Sequence, residues 1–295
     1  MSLEALAAAI HDRRVILFAG GGISQNLGLP DFGALVRYIR HNMRLSGGDG
    51  SLRDYAILAE AYVLQEGKIG PLRSWLESTL HPPSIDITGS EIHNLIVDLD
   101  FPVIYTTNYD HWLEKSYEAR GKPFQKIVSV GDLTRSDGRT IEIIKFHGDL
   151  NDDESIVLTE TSYFRRMSFE SPLDLRLRSD SLARPLLFLG YSLHDVNTRY
   201  LLWKLHEIWE NSAWAEHRPF SYILMTENSP AHAAVLRHRG IEPLLVEASD
   251  PGSATLALLR RLRALRDGQT APSRTSAAKA TRRPAGRRSK IKKKA

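Results

Sequence analysis

The sequence predicts an α/β fold, a Rossmann-like parallel sheet with helices on both faces, and three features carry that prediction. Short apolar runs of four to six residues recur along the 295-residue chain, at 15–19, 103–107, 125–130, 141–146, 186–189, 222–225 and 243–246. Helical patterns separate most of them, and strands joined by helices form parallel sheets covered on both sides. The first run, Val15 to Ala19, leads straight into Gly20, Gly21 and Gly22, the strand-to-turn signature of a sheet that binds ligands at its carboxyl edge. No internal repeat or heptad pattern competes with this reading.

Taken in order, Leu3 to His11 form a short helix before the glycine strand. Asp31 is placed to cap a helix carrying Leu35, Val36, Ile39 and Met43 on one face. A turn, SGGDGS, follows. From Leu52 to Leu80 the pattern is helical, broken at Gly67 and at Gly70–Pro71, and with the helix Glu91 to Leu99 it marks a helical insertion at about 45–100. Pro102 opens the second strand, which stops at Asn108 and Asp110 before the helix HWLEKSYEAR. The interval from Asp149 to Leu189 reads as helical, as in TETSYFRRM. Trp203, Trp209 and Trp214 are expected in the core, the usual place for large aromatics.

Composition narrows the function classes. With 42% hydrophobic residues there is material for a full core, and one catalytic domain over 1–270 with a tail over 271–295 is the natural division. No stretch approaches the roughly 20 apolar residues of a membrane span, and the first turn lacks a basic leader region, so a cytoplasmic protein with no membrane contact is expected. The chain has no cysteine, which removes disulfides, thiolate metal sites and a cysteine nucleophile; its 11 histidines show no metal-ligand spacing, so no metal is expected.

The net charge of +4 is unevenly spread. Residues 271–295 hold ten Lys or Arg and no acid, so the remaining 29 basic residues face 35 acidic ones and the body is mildly acidic. A tail of that composition is expected to be disordered; it reads equally as a non-specific nucleic-acid contact and as a solubilising segment.

Ligands of an open parallel sheet sit beyond the strand ends, which singles out Gly20 to Ser24, Thr106 to Asp110, His147 to Asp149 and Gly190 to Asp195. Glycines there let backbone N–H groups approach a phosphate, or merely permit a sharp turn. The dinucleotide fingerprint G-x-G-x-x-G is half met, since Gln25 stands at its third glycine. Asn108 offers a carbonyl and an NH₂ group, and His147 an imidazole that titrates near neutrality; the plainer readings are a helix cap and a strand-end histidine. Leu186 to His194 approach the nucleophile elbow G-x-S-x-G, but His194 replaces the second glycine and no triad order follows Ser192, so a serine hydrolase is disfavoured.

Together these motifs resemble the sirtuins. Gly20-Gly21-Gly22-Ile23-Ser24 with Gly28-Leu29-Pro30-Asp31-Phe32 is similar to their glycine loop and G-I-P-x-F. Thr107-Asn108-Tyr109-Asp110 is similar to T-x-N-x-D, His147-Gly148 to H-G, and Gly190-Tyr191-Ser192 to G-x-S. Two departures set the branch: the four zinc-binding cysteines of deacylating sirtuins are missing, and Gly33 stands where their arginine follows the phenylalanine. What remains resembles the zinc-less sirtuin-like NAD hydrolases of bacterial antiphage defence, rather than an NAD-dependent deacylase or a silent NAD or ADP-ribose sensor.

The resemblance implies that NAD is bound as substrate, without a metal, and cleaved to nicotinamide and ADP-ribose, arresting the infected cell. It assigns the catalytic roles to Asn108 and His147, and NAD contacts to Gly20, Gly21, Gly22, Ser24, Phe32, Asp110, Gly190, Ser192 and Thr226, with Glu227 beside Thr226 and Asp195 as a lesser candidate. Phe32 would stand over the nicotinamide ring. A homo-oligomer is expected; of the enzymes it resembles some work alone, and others act beside a HerA-type ATPase or a short Argonaute.

Overall fold

The computed structural model describes residues 2–30, 32–45, 55–193, 196–210 and 212–270, with the side chains of 32, 196, 269 and 270 outside that description. The cap at Asp31, the SGGDGS turn, His194, Asp195 and the basic tail therefore lie outside the described residues, as does the side chain of Phe32.

The chain runs α1 (Leu3–His11), β1 (Ile16–Ala19), α2 (Gly22–Gln25), α3 (Phe32–Asn42), α4 (Tyr55–Glu66), α5 (Gly70–Leu80), α6 (Glu91–Leu99), β2 (Val103–Thr106), α7 (Trp112–Ala119) and β3 (Phe124–Ile127). It continues through α8 (Val130–Arg135), β4 (Ile141–Lys145), α9 (Glu160–Met167), α10 (Pro172–Ala183), β5 (Leu186–Leu189), α11 (Val196–Glu210), β6 (Ser221–Met225), α12 (Pro230–His238), β7 (Ile241–Leu245) and α13 (Pro251–Thr270). All seven apolar runs are strands. The third is shorter than its sequence suggests, because Ser129 and Asp132 form a capping box that makes Val130 the first residue of α8.

The strands form one parallel sheet in the order β3-β4-β2-β1-β5-β6-β7. β1 lies inside it, paired with β2 at Phe18↔Tyr105 and with β5 at Phe18↔Phe188. All four β1 residues are fully buried, which explains why its sequence is apolar without alternation. The chain first builds outward from β1 to β2, β4 and β3, then resumes on the other side with β5. The crevice between β1 and β5 is thus the topological switch point, where open α/β sheets bind ligands.

Two apolar layers cover the sheet. On one face α1, α6, α7 and α13 set Leu6, Ile96, Leu113 and Leu259 against Leu17, Ile104 and Leu187. On the other, α10, α11 and α12 set Leu177, Leu202 and Leu236 against Phe18, Tyr105 and Phe188. The helix 91–99, which the sequence groups with the insertion, therefore packs as part of the first layer. A third cluster joins α3, α4 and α5 (Leu35, Ile39, Tyr62, Leu72, Leu76) to Tyr109, Leu150 and Ile156 from the loops after β2 and β4. The helical insertion thus sits over the carboxyl end of the sheet. Trp214, expected in the core, is instead 67% exposed, because it lies in the loop between α11 and β6, where no layer covers it.

Candidate active site

The four strands that end in the singled-out motifs, β4, β2, β1 and β5, are consecutive in the sheet, so their loops emerge side by side. The tightest contact is between the loops after β1 and β5. Gly190 has φ +75, and a Cβ there would lie 2.8 Å from the Gly20 carbonyl oxygen and 2.9 Å from the Ile23 nitrogen. A Cβ on Gly20 would in turn lie 2.5 Å from the Gly190 oxygen. These are backbone atoms that cannot swing aside, so the glycines are there to let two loops touch.

That contact alters the expectation of a phosphate cradle made by three glycine amides. Gly20 N–H donates to the Leu189 carbonyl (2.8 Å) and Gly22 N–H to the Gly190 carbonyl (3.0 Å). Ile23 and Ser24 donate to the carbonyls of Gly20 and Gly21. Gly21 is exposed, with nothing within 4 Å of its Cβ position, and it is where an anion could approach closest.

Asn108 lies 8% exposed just beyond β2 and reaches back to this loop. Its Nδ2 donates to the Gly20 carbonyl (3.3 Å) and to Ser24 Oγ (3.0 Å), and its backbone N–H donates to Thr106 Oγ1 (3.0 Å). Because a carbonyl only accepts, the bond to Gly20 fixes which way the amide faces. The NH₂ group is thus committed inside the protein, and Oδ1 is left as the acceptor for a water or a hydroxyl. The sequence suggests that both ends of the amide serve a ligand; here one end does.

His147 follows β4 and borders a cavity of about 80 Å³ together with Thr107, Tyr163, Arg166, Tyr191 and Asn197. Its ring meets Tyr163 edge to face (5.6 Å between centroids). Burial, with the Arg166 cation adding to it, pushes the imidazole down to about 3, so the ring is neutral at physiological pH. Arg166 is held in turn. Its guanidinium lies 3.8 Å over the Phe146 ring, donates to the Phe146 carbonyl and to Ser171 Oγ, and faces Asp174 at 3.6 Å.

Asn108 does not line this cavity; its neighbour Thr107 does. Thr107 Oγ1 hydrogen-bonds Tyr191 Oη (3.0 Å), which also donates to the Ala19 carbonyl (3.1 Å). Tyr191 therefore links the ends of β1, β2 and β5. The structure brings Gly20, Gly22, Ser24 and Asn108 together, with Gly190 against the loop, whereas His147 lies at the end of β4 on a cavity that Thr107 and Tyr191 share but Asn108 and the glycines do not line. Ser192 is exposed one residue beyond Tyr191, and Thr226 is half-buried at the end of β6, one strand further out. Asp110, expected to contact the ligand or orient its loop, is 6% exposed, and its Oδ1 accepts from Trp112 N–H (3.1 Å) at the start of α7, which suits the orienting role.

Behind the loop lies a group of charges that the sequence reading passes over. His111, Glu114 and Asp149 bring ligand-type atoms within 4.8 Å of one another, a geometry that would suit a cation. Two lysines occupy it already: Lys126 Nζ is 2.9 Å from Asp149 Oδ2, and Lys145 Nζ is 3.2 Å from Glu114 Oε1. Two carboxylates thus face two ammonium groups, and charge neutrality needs no ion. Burial raises the Asp149 carboxyl, but hydrogen bonds from His111 and Lys126 outweigh it and hold the group well below the usual carboxylate range. The signal for this cluster was in the sequence, as a lysine ending the strand β4 (IEIIK), which already carries Glu142 among its isoleucines.

The chain is similar to several known proteins. A family model described as a SIR2-like domain matches residues 102–244. A protein named NAD(+) hydrolase ThsA from Bacillus cereus (strain MSX-D12) is 25% identical over 223 residues, covering 75% of this chain and 45% of that protein. Its namesake from Enterococcus faecium is 27% identical over 211 residues, 70% of this chain and 43% of that one. Defense-associated sirtuin 2 of Bacillus subtilis is 24% identical over 239 residues, 77% of this chain and 22% of that protein. The chain thus spans less than half the length of these curated relatives. Among solved structures, a mutant Sir2 homologue in complex with ADP-ribose superposes over 90% of this chain and 97% of its own, at 13% identity and a TM-score of 0.48.

Proposed function

From the premise that the chain is a SIR2-like protein, we propose that it is an NAD glycohydrolase, cleaving NAD⁺ to nicotinamide and ADP-ribose. The observation that carries this reading is the amide of Asn108, which spends its NH₂ group on Gly20 and Ser24 and keeps its carbonyl oxygen as the unengaged end, at the end of the strand that lies between the glycine-loop strand β1 and the His147 strand β4. Breaking the bond between nicotinamide and ribose builds positive charge on the sugar. The protein has to hold the dinucleotide, place a water and move one proton.

Each part has a candidate. The pyrophosphate passes over Gly21, where no side chain intervenes. Asn108 Oδ1 accepts from the attacking water or a ribose hydroxyl. His147, neutral under physiological conditions, takes the proton from the attacking water as the ribose–nicotinamide bond breaks; burial and the Arg166 cation disfavour the imidazolium, so that proton is released to solvent water, and nicotinamide leaves neutral. Ser24, Ser192, Gly190 and Thr226 contribute to binding, and Phe32 shields the nicotinamide. No step draws on a metal.

On this reading the enzyme works in the bacterial cytoplasm as a homo-oligomer, depleting NAD during antiphage defence by abortive infection, with a HerA-type ATPase or a short Argonaute as partner. No helix among the described residues is long and apolar enough to cross a membrane. The test is incubation of the purified chain with NAD⁺ and measurement of nicotinamide release, for the wild type and for Ser192→Ala. Release that survives Ser192→Ala supports the assignment. No release from the wild type, or release abolished by Ser192→Ala as in a serine hydrolase, would overturn it.

A further inference from the structure

Lys145 is the last residue of β4 and is 1% exposed. It pairs in register with Thr106, the last residue of β2, and Phe146 N–H donates to the Thr106 carbonyl (2.7 Å), so the two strands stay joined up to their ends. Beyond that point Lys145 Nζ donates to the backbone carbonyl of Asp110, in the loop that carries Asn108. Its charge is balanced by Glu114 on α7. Two residues past His147, Asp149 Oδ1 contacts His111 Nε2 at 3.1 Å, one residue after Asp110. The Asn108 loop is therefore gripped from β4 on both sides of His147.

Stability alone does not account for such an arrangement. Burying an ammonium and a carboxylate costs desolvation that their attraction seldom repays, and an apolar pair of similar volume commonly does as well or better. What an apolar pair lacks is a donor aimed at one backbone carbonyl. We propose that Lys145 is a positioning residue: through the Asp110 carbonyl it fixes the loop 107–111, and thereby sets Asn108 at its working distance from His147. This rests on the NAD-cleavage reading for its kinetic consequence, though not for its structural one.

The test is the double variant Lys145→Met/Glu114→Gln, which removes both charges and leaves no unpaired ion. Its thermal midpoint should stay near that of the wild type, while kcat for nicotinamide release falls about tenfold to a hundredfold and KM changes by less than about threefold, as expected for misplacement of a reacting group. Backbone amide exchange should accelerate within residues 107–111 and nowhere else in the sheet. A double variant with wild-type kcat, or with unchanged exchange in that loop, overturns the proposal. Should the double variant fail to fold, Lys145→Gln, which still donates but with shorter reach, decides by the same split between kcat and KM. If the wild type releases no nicotinamide, the exchange measurement alone decides: acceleration confined to the loop supports the clamp while the NAD reading falls.

Discussion

Replacing Asn108 with alanine separates the two jobs that its side chain performs. The change removes two hydrogen bonds donated by Nδ2, to the Gly20 carbonyl and to Ser24 Oγ. The Gly20 carbonyl keeps the N–H of Ile23 (3.1 Å), so it is not orphaned, whereas the 4% exposed Ser24 loses a partner. At about 0.5–1.5 kcal/mol per neutral hydrogen bond, the stability cost is about 1–3 kcal/mol, or several degrees in Tm for a fold of this size. Activity should fall much further. Loss of the Oδ1 acceptor and of the loop anchor is expected to lower kcat by about two orders of magnitude, equivalent to about 2.7 kcal/mol of transition-state stabilisation. Scanning calorimetry gives the first quantity and nicotinamide release under saturating NAD⁺ the second. Ser24→Ala serves as the control, since it removes one of the same bonds but leaves Oδ1, and it should show about half the Tm shift with a smaller loss of rate. Turnover of Asn108→Ala within threefold of the wild type would refute the assignment, and equal rate losses in both variants would show that only the anchor matters.

Two further outcomes follow from the buried groups. Burial holds His147 at about 3 and His93 at about 4, against 6.5 for a free histidine. Below about pH 6.5 the unfolded chain therefore binds more protons than the folded one, and stability should be flat above that pH and fall steadily from pH 6.5 to 4.5, by up to about 2–3 kcal/mol for the fully buried His93 and by less for the half-buried His147. A urea midpoint that does not move over this range would contradict the neutral, buried rings. Gly148→Ala should be among the most damaging single changes: Gly148 has φ +92, and a Cβ there would lie 2.2 Å from the Ser155 carbonyl oxygen. The left-handed backbone and the overlap together should cost at least about 3 kcal/mol, and a urea midpoint near that of the wild type would show that the loop 148–155 yields more easily than its geometry suggests.

What could be read from the sequence follows from the range of the interactions involved. The inner strands β1, β2 and β5 were legible because residues such as Ile16, Phe18 and Leu187 are fully buried, and that requirement leaves a nearly unbroken apolar run in the chain itself. Asn108 and His147 were legible as polar residues at the ends of such runs. The fate of individual amides was not. Gly20 and Gly22 spend their N–H groups on β5, a strand more than 160 residues further along, and local sequence carries no mark of that pairing. The same limit explains why Asp110 was expected at the ligand: whether a strand-end carboxylate faces outward or caps the next helix depends on the angle at which α7 leaves the sheet. Lys145 was visible as an anomaly, a lysine in a buried strand, but its partners Glu114 and the Asp110 carbonyl come from another segment.

The contact between α1 and α13 bears on how the protein is made. Helix α1 packs against α13, far along the chain, with Leu6 and Ile10 in the same apolar layer as Leu258 and Leu262. The central strand β1 likewise waits for β5 before its second edge is paired. A nascent chain that has emerged only as far as β4 therefore carries an open sheet edge and an uncovered apolar face, and it has to stay soluble in that state until the C-terminal third arrives. The layer that covers this face is completed by α13, after the elements bearing Asn108 and His147 have been synthesised, so the order of synthesis delays the final packing of those elements.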